Sequence, residues 1–169
     1  MQRNDDVNLN EEELIGGYVD VEVWRDGKHG PVLMQHTRSH NLITNAGKKH
    51  IWELASGHKA TTFDQMRIGS GSAAATSGGT NLQTPIVGSL NTVDSKTLGT
   101  GRTFVWVNSY PSGSGTTTGG ILSFAAAKEV VIACQHTTPG GTCMMRCVFT
   151  AVAKTKADKL KITYSARIT

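Results

Sequence analysis

The run ILSFAAAKEVVIACQHTTPGGTCMMRCVFTAVAKTKADKLKITYSARIT, residues 121–169, decides the fold class. It divides into four short β-rich runs, 121–127, 128–135, 143–153 and 160–168, dense in Val, Ile, Thr and aromatic residues. A Pro139-Gly140-Gly141 turn and a Lys154-Thr155-Lys156-Ala157-Asp158 connector punctuate the last three. No period of 3.6 organises this third of the chain, so it predicts strands and turns.

Upstream, Tyr18-Val19-Asp20-Val21-Glu22-Val23-Trp24 alternates strictly and predicts a half-buried strand with Val19, Val21 and Val23 on one face. Asp26-Gly27 is a turn signal, and residues 32–36 form the returning strand. Residues 87–97 and 102–110 are further strands, with Thr103-Phe104-Val105-Trp106-Val107 the most β-prone run. One helix is expected over residues 44–56. Thr44 or Asn45 caps it, Ile51, Trp52, Leu54 and Ala55 supply an apolar stripe, and Gly57 stops it. Residues 69–81 make a long loop of small residues that is functional or packed against a partner, and residues 111–120 form a mobile tip or crossover. Eight or nine strands with one helix predict a mainly β chain: an antiparallel, jelly-roll-like β-sandwich over residues 18–169. Residues 1–17, ending in Gly16-Gly17, form an extended acidic arm that is flexible or docks.

At 169 residues with 38% hydrophobic and 18% charged side chains, the chain can bury a core and is globular. The net charge of +4 conceals a segregation. Asp5, Asp6, Glu11, Glu12 and Glu13 with Arg3 make the arm −4, and the other 16 basic against 8 acidic residues leave the body +8. Lys and Arg are scattered and not interleaved with aromatics, so nucleic acid is not expected as a partner. No apolar run approaches the roughly 18 residues that span a bilayer, so no membrane is expected either. The opening residues lack a signal-peptide core, which predicts synthesis in the cytoplasm.

Motif chemistry is sparse. His36-Thr37-Arg38-Ser39-His40 would place two imidazoles together on a helix, but its flanks are extended, and a solvated or interface pair is expected. Cys134, Cys143 and Cys147 lack redox or zinc spacing and are expected as reduced, small hydrophobes. Gly69-Ser70-Gly71-Ser72 lacks the third glycine and following helix of a dinucleotide loop; close backbone packing explains it. No G-x-S-x-G elbow occurs. No catalytic residue, cofactor or metal is therefore expected. The candidate partner-contact residues are Asp5, Asp6, Glu11, Glu12, Glu13, Gly69, Gly71, Trp24, Trp106 and Tyr110. The aromatics have core packing as their competing role.

Three segments together carry a resemblance. They are Asn41-Leu42-Ile43-Thr44-Asn45-Ala46-Gly47 before the helix, Ile68-Gly69-Ser70-Gly71 with Thr80-Asn81-Leu82, and Gly140-Gly141-Thr142-Cys143-Met144-Met145-Arg146 with Asp158-Lys159-Leu160-Lys161-Ile162-Thr163-Tyr164. In order and spacing, residues 41–169 resemble small virion structural proteins of tailed bacteriophages. The resemblance implies a homo-oligomer on the outer surface of a particle, either a capsid decoration (cement) protein bound to the major capsid protein or a tail, baseplate or fibre-base adaptor bound to tail proteins. For the shell position it implies a trimer, because sites between hexamers have local three-fold symmetry. A carbohydrate- or host-binding module is the rival of another class.

Overall fold

The structure, a computed structural model, describes residues 15–58, 62–79, 81–99, 103–112, 123–134 and 142–168. In chain order the elements are β1 (Ile15–Gly27), β2 (Gly30–His40), β3 (Leu42–Ile43), α1 (Asn45–Ala55), β4 (Gln65–Gly69), β5 (Asn91–Thr92), β6 (Ser95–Leu98), β7 (Thr103–Tyr110), β8 (Phe124–Cys134), β9 (Thr142–Lys154) and β10 (Asp158–Ile168). They form two five-stranded antiparallel sheets, ordered β2-β1-β10-β7-β6 and β3-β9-β8-β4-β5. The chain crosses between the sheets repeatedly, as a jelly-roll-like sandwich requires.

Period-2 patterning fills the space between the sheets. Val19, Val21 and Val23 of β1 and Leu160, Ile162 and Tyr164 of β10 point inward from one sheet. Met66, Ile68, Val130, Ile132, Met145, Cys147 and Phe149 meet them from the other. The longest continuous pairing is between β1 and β10, from Ile15 opposite Ile168 to Arg25 opposite Asp158. It joins the start of the described chain to its end. Asp158 closes this ladder, accepting from Arg25 Nε at 2.7 Å and from the Thr155 hydroxyl at 2.6 Å and amide at 2.8 Å. The Lys154 to Asp158 connector is thus a turn built on one carboxylate.

Several expectations need correction. Gly16 and Gly17 are not the end of the arm but part of β1; they pair with Arg167 and Ala166, and a Cβ on Gly17 would collide with the Ser165 carbonyl. The runs 121–127 and 128–135 are not two strands. Phe124–Cys134 is one strand, whose register shifts at Ala127 accommodate the weakly β-prone Ala125-Ala126-Ala127-Lys128. Residues 87–97 are not one strand either: β5 and β6 lie in different sheets, and the chain changes sheet at Val93 and Asp94. The Pro139-Gly140-Gly141 turn and residues 113–120 of the expected tip lie outside the described residues.

Helix α1 follows its sequence signals at both ends. Thr44 Oγ1 accepts from the Gly47 amide at 2.9 Å, and Gly57 takes a positive φ just beyond the helix. Its stripe differs from the expected one. His50 is the buried side chain, its ring tilted against Phe63 with centroids 4.7 Å apart, and Ile51 and Leu54 are packed partly against the core. Trp52 is 76% exposed. Among the described residues, no helix is long and apolar enough to cross a membrane.

Candidate interaction surfaces

The segment between β4 and β5 is clamped to its own sheet. Glu129 of β8 and Arg146 of β9 both point to the outer face of the second sheet, where water would normally solvate them. The loop covers them instead. Arg146 Nη2 and Nε donate to Glu129 Oε2 at 2.7 and 3.0 Å. Glu129 Oε1 accepts from the amides of Thr84 at 2.8 Å and Gly71 at 3.0 Å, and Oε2 accepts from Gln83 at 3.1 Å. Arg146 completes the clamp by donating to the carbonyls of Ala73 and Ala74. Burial alone would raise the Glu129 carboxyl. The Thr84 and Gln83 amides and the Arg146 guanidinium outweigh that and hold it below the ordinary value.

This arrangement gives Gly69 and Gly71 an internal role. A Cβ on either would stand 2.5 Å from Glu129 Oε1, so both are glycines because backbone closely approaches that carboxylate. Both make contacts of the chain with itself. Trp106 and Tyr110, the aromatic candidates on β7, also have internal partners. Trp106 is buried and donates from Nε1 to the Phe63 carbonyl at 3.1 Å. Tyr110 is fully buried and donates to the Ser89 carbonyl at 2.8 Å, and burial pushes its phenol well above the ordinary range. Trp24 is half-buried on the outer face of the first sheet, between Leu33 and Lys159. Asp5, Asp6, Glu11, Glu12 and Glu13 lie outside the described residues.

The surface the sequence did not single out is β2. Among the described residues it ends its sheet, and the backbone groups on its outer side carry no neighbouring strand. Val32, Leu33 and Met34 stand there 52%, 44% and 46% exposed. Met34 is the extra residue of a β-bulge, since Val23 faces Gln35 while Trp24 faces Leu33. Three consecutive apolar residues after Pro31 were the available signal, because a one-sided strand would alternate. Further along, Asp20 accepts from Arg38 Nε and Nη2 at 2.8 and 2.9 Å and meets His36 Nε2 at 3.0 Å. Hydrogen bonds from Arg38 lower the Asp20 carboxyl against the opposing effect of burial, with His36 adding to them. His40 lies against Tyr18 with the rings tilted and their centroids 4.4 Å apart. The two histidines of the H-x-x-x-H pattern therefore serve separate partners.

Between β2 and the end of β9 runs a cleft of about 400 Å³, bordered by Gln35, His36 and Thr37 on one side and Thr150, Ala151 and Ala153 on the other. Gln35 Oε1 accepts from the Ala153 amide at 3.1 Å and is the tie across it. Among the described residues, no group of three or more His, Cys, Asp or Glu side chains could hold a metal ion. Cys147 is buried, donates to the His40 carbonyl at 3.1 Å, and has its thiol pushed up to about 12 by burial. The side chains of Cys134 and Cys143 lie outside the described residues. No protein-family model, curated protein or solved structure matches the chain.

Proposed function

We propose that this chain is a structural subunit of a tailed-bacteriophage particle, acting by surface contact, and within it a capsid decoration protein. The observation that carries a contact role is the β2 margin. An edge strand of 11 residues, with no neighbouring strand on its outer side among the described residues and with Val32, Leu33 and Met34 in solvent, is a surface that natural folds guard unless something covers it. The particle itself is suggested by the resemblance of residues 41–169, whose three motif segments occupy the helix cap, the clamped loop and the final strands. Internal roles for Trp106 and Tyr110 leave Trp24 alone of the three aromatic contact candidates, for this reading and for a host- or carbohydrate-binding one alike.

The mechanism is mass action. A protein that binds the assembled shell, and not its separated subunits, stabilises the shell in proportion to occupancy. The partners are the major capsid protein and copies of the chain itself. The test is copy number and position on purified virions. Hundreds of copies by quantitative gel, with density on the shell, is the expected result. Six to a few tens of copies, with density at the tail, would assign it to a tail or baseplate adaptor instead. Absence from the particle would overturn the virion reading.

A further inference from the structure

We propose that β2 pairs antiparallel with β2 of a second copy across a two-fold axis, so that the first sheet continues from one molecule into the next. The inference deepens the contact reading above, and rests on it, by naming what covers the β2 margin. Among the described residues the other sheet margins are guarded. β3 and β5 are two residues long. β6 is four long and turns Lys96 to the inner side, where it opposes Trp106 and reaches the Thr62 hydroxyl at 3.3 Å. β2 runs for 11 residues without a Lys, Asp or Glu, and Asp20 already pairs with its one arginine, Arg38.

The β1–β2 ladder fixes which backbone groups of this margin are free. Gly27 and Gly30 close the two-residue turn Lys28-His29, so they form a hydrogen-bonded pair, and bonded and non-bonded pairs alternate from there. Two observations agree with that phase. Pro31, which has no N–H, falls on the first non-bonded pair, opposite Asp26. The Asn41 amide donates to the Gly17 carbonyl at 3.2 Å, where the alternation along β1 requires a bond. Leu33, His36 and Arg38, opposite Trp24, Glu22 and Asp20, are therefore the residues of β2 whose N–H and C=O both turn outward. The Met34 bulge sets Leu33 and His36 three positions apart, not two.

That spacing selects a second copy as the occupant. A two-fold between Met34 and Gln35 sets Leu33 against His36 of the second copy and Arg38 against its Pro31, with the same pairs repeated beyond the axis. The two bulges then face each other, and every outward residue from Pro31 to Arg38 meets an outward one, for about six main-chain hydrogen bonds. A two-fold at Leu33 or at His36 loses the match, because one side of the bulge then meets groups already turned to β1. No like charges oppose each other, since Arg38 of either copy lies opposite a proline. On the outer face the row Lys159, Trp24, Leu33 of one copy runs on into His36, Glu22 and Lys161 of the other. Leu33, half exposed in the single chain, becomes enclosed between Trp24 and that histidine. A contact of one strand and a few apolar side chains is small, which makes the pairing weak and reversible.

The test is sedimentation of the full-length chain with residue-resolved hydrogen exchange. A monomer–dimer equilibrium is expected. The amides of Leu33, His36 and Arg38 should gain at least about tenfold protection where the dimer predominates, while those of Val32, Thr37 and Ser39, which face β1, should be protected at every concentration. Leu33→Pro removes one outward N–H and no bond to β1, a placement that edge strands tolerate. It should weaken dimerisation at least about tenfold with little change in unfolding temperature, and more than Leu33→Ala, which keeps the N–H. A chain still monomeric at about 1 mM would overturn the pairing. So would a dimer or trimer whose Leu33, His36 and Arg38 amides exchange as in the monomer, or a folded Leu33→Pro chain that dimerises like the wild type. If Leu33→Pro does not fold, exchange in the wild-type chain decides alone. Virions are read separately: a chain that pairs through β2 but is absent from particles sinks the particle reading and spares the pairing. A chain monomeric in solution, with β2 amides protected only on particles, gives the margin to the shell and sinks the pairing.

Discussion

Arg146 Nη2 lies 2.7 Å from Glu129 Oε2, and this ion pair joins β8 to β9 on the outward side of their sheet, beneath a lid of backbone. It is buried where a sheet of this kind is ordinarily wet. Its partners are almost wholly main-chain groups of residues 71–84, so the pair fixes the loop as much as the sheet.

Removing one member should cost far more than removing a surface pair. Arg146→Ala leaves a buried carboxylate without its cation and is expected to destabilise the fold by about 3–5 kcal/mol. Urea unfolding measures it, and a loss within the range of an exposed pair would show that Glu129 is solvated. Gly71→Ala should cost about 1–3 kcal/mol through overlap with the same carboxylate.

Acid should unfold the protein through two carboxylates. Glu129 and Asp158 both have folded pKa values below their ordinary ones, Glu129 through amide and Arg146 contacts that outweigh its burial, Asp158 chiefly through Arg25 and Thr155. Protons then bind the unfolded chain more readily than the folded one, so the stabilisation is complete above about pH 5 and drains as pH falls through the ordinary carboxylate range. Chemical unfolding across that range should show falling stability, with a shallower slope in Asp158→Asn. A variant as steep as the wild type would remove Asp158 from the account.

Truncation should discriminate between residues 14 and 17. A chain starting at Ile15 keeps the whole β1–β10 ladder and should melt as the full chain does. Removing Ile15, Gly16 and Gly17 as well deletes their pairing with Ile168, Arg167 and Ala166 and should cost about 1–3 kcal/mol of hydrogen bonding. Equal melting of the two truncations would mean the ladder end contributes nothing.

Cys147 should resist alkylation in the folded protein. Its thiol is buried and its pKa stands near 12, so thiolate is scarce at neutral pH. Mass spectrometry after iodoacetamide should find it unmodified until denaturant is added. Ready labelling without denaturant would contradict the packing around it.

Met34→Lys should change stability by less than about 0.5 kcal/mol, because the bulged residue is exposed and opposes no partner. It should nonetheless reduce occupancy on the particle, since a lysine on a bare strand margin discourages contact. Full occupancy with Met34→Lys would move the contact surface elsewhere.

The sandwich was legible wherever one face is buried and the other wet. Tyr18 to Trp24 alternates, and its valines are the core; Thr44 and Gly57 bracket the helix as their chemistry dictates. Legibility failed where the environment departs from that rule. Residues 124–134 looked like two strands because Ala125, Ala126 and Ala127 have little β preference and the partner strand supplies the order. Glu129 and Arg146 are 17 residues apart, and their meeting depends on a register that no local pattern encodes. A lone carboxylate beside the apolar run 130–133 was the visible hint. Trp106 and Tyr110 are ambiguous by nature, since a large ring with one polar atom suits both a core with a carbonyl to meet and an interface.

The lid over Glu129 has a further consequence. Among the described residues it leaves a clad back and a bare front: residues 70–79 and 81–84 cover one sheet at Glu129 and Arg146, while the outer face of the other carries Tyr18, Asp20, Trp24, Lys159 and Lys161. The two broad sides are thus chemically unlike, one made of loop backbone and small side chains, the other of a pleated array of rings and charges. Any larger body that meets this molecule meets a tile with heads and tails, and it can tell which way the tile is lying.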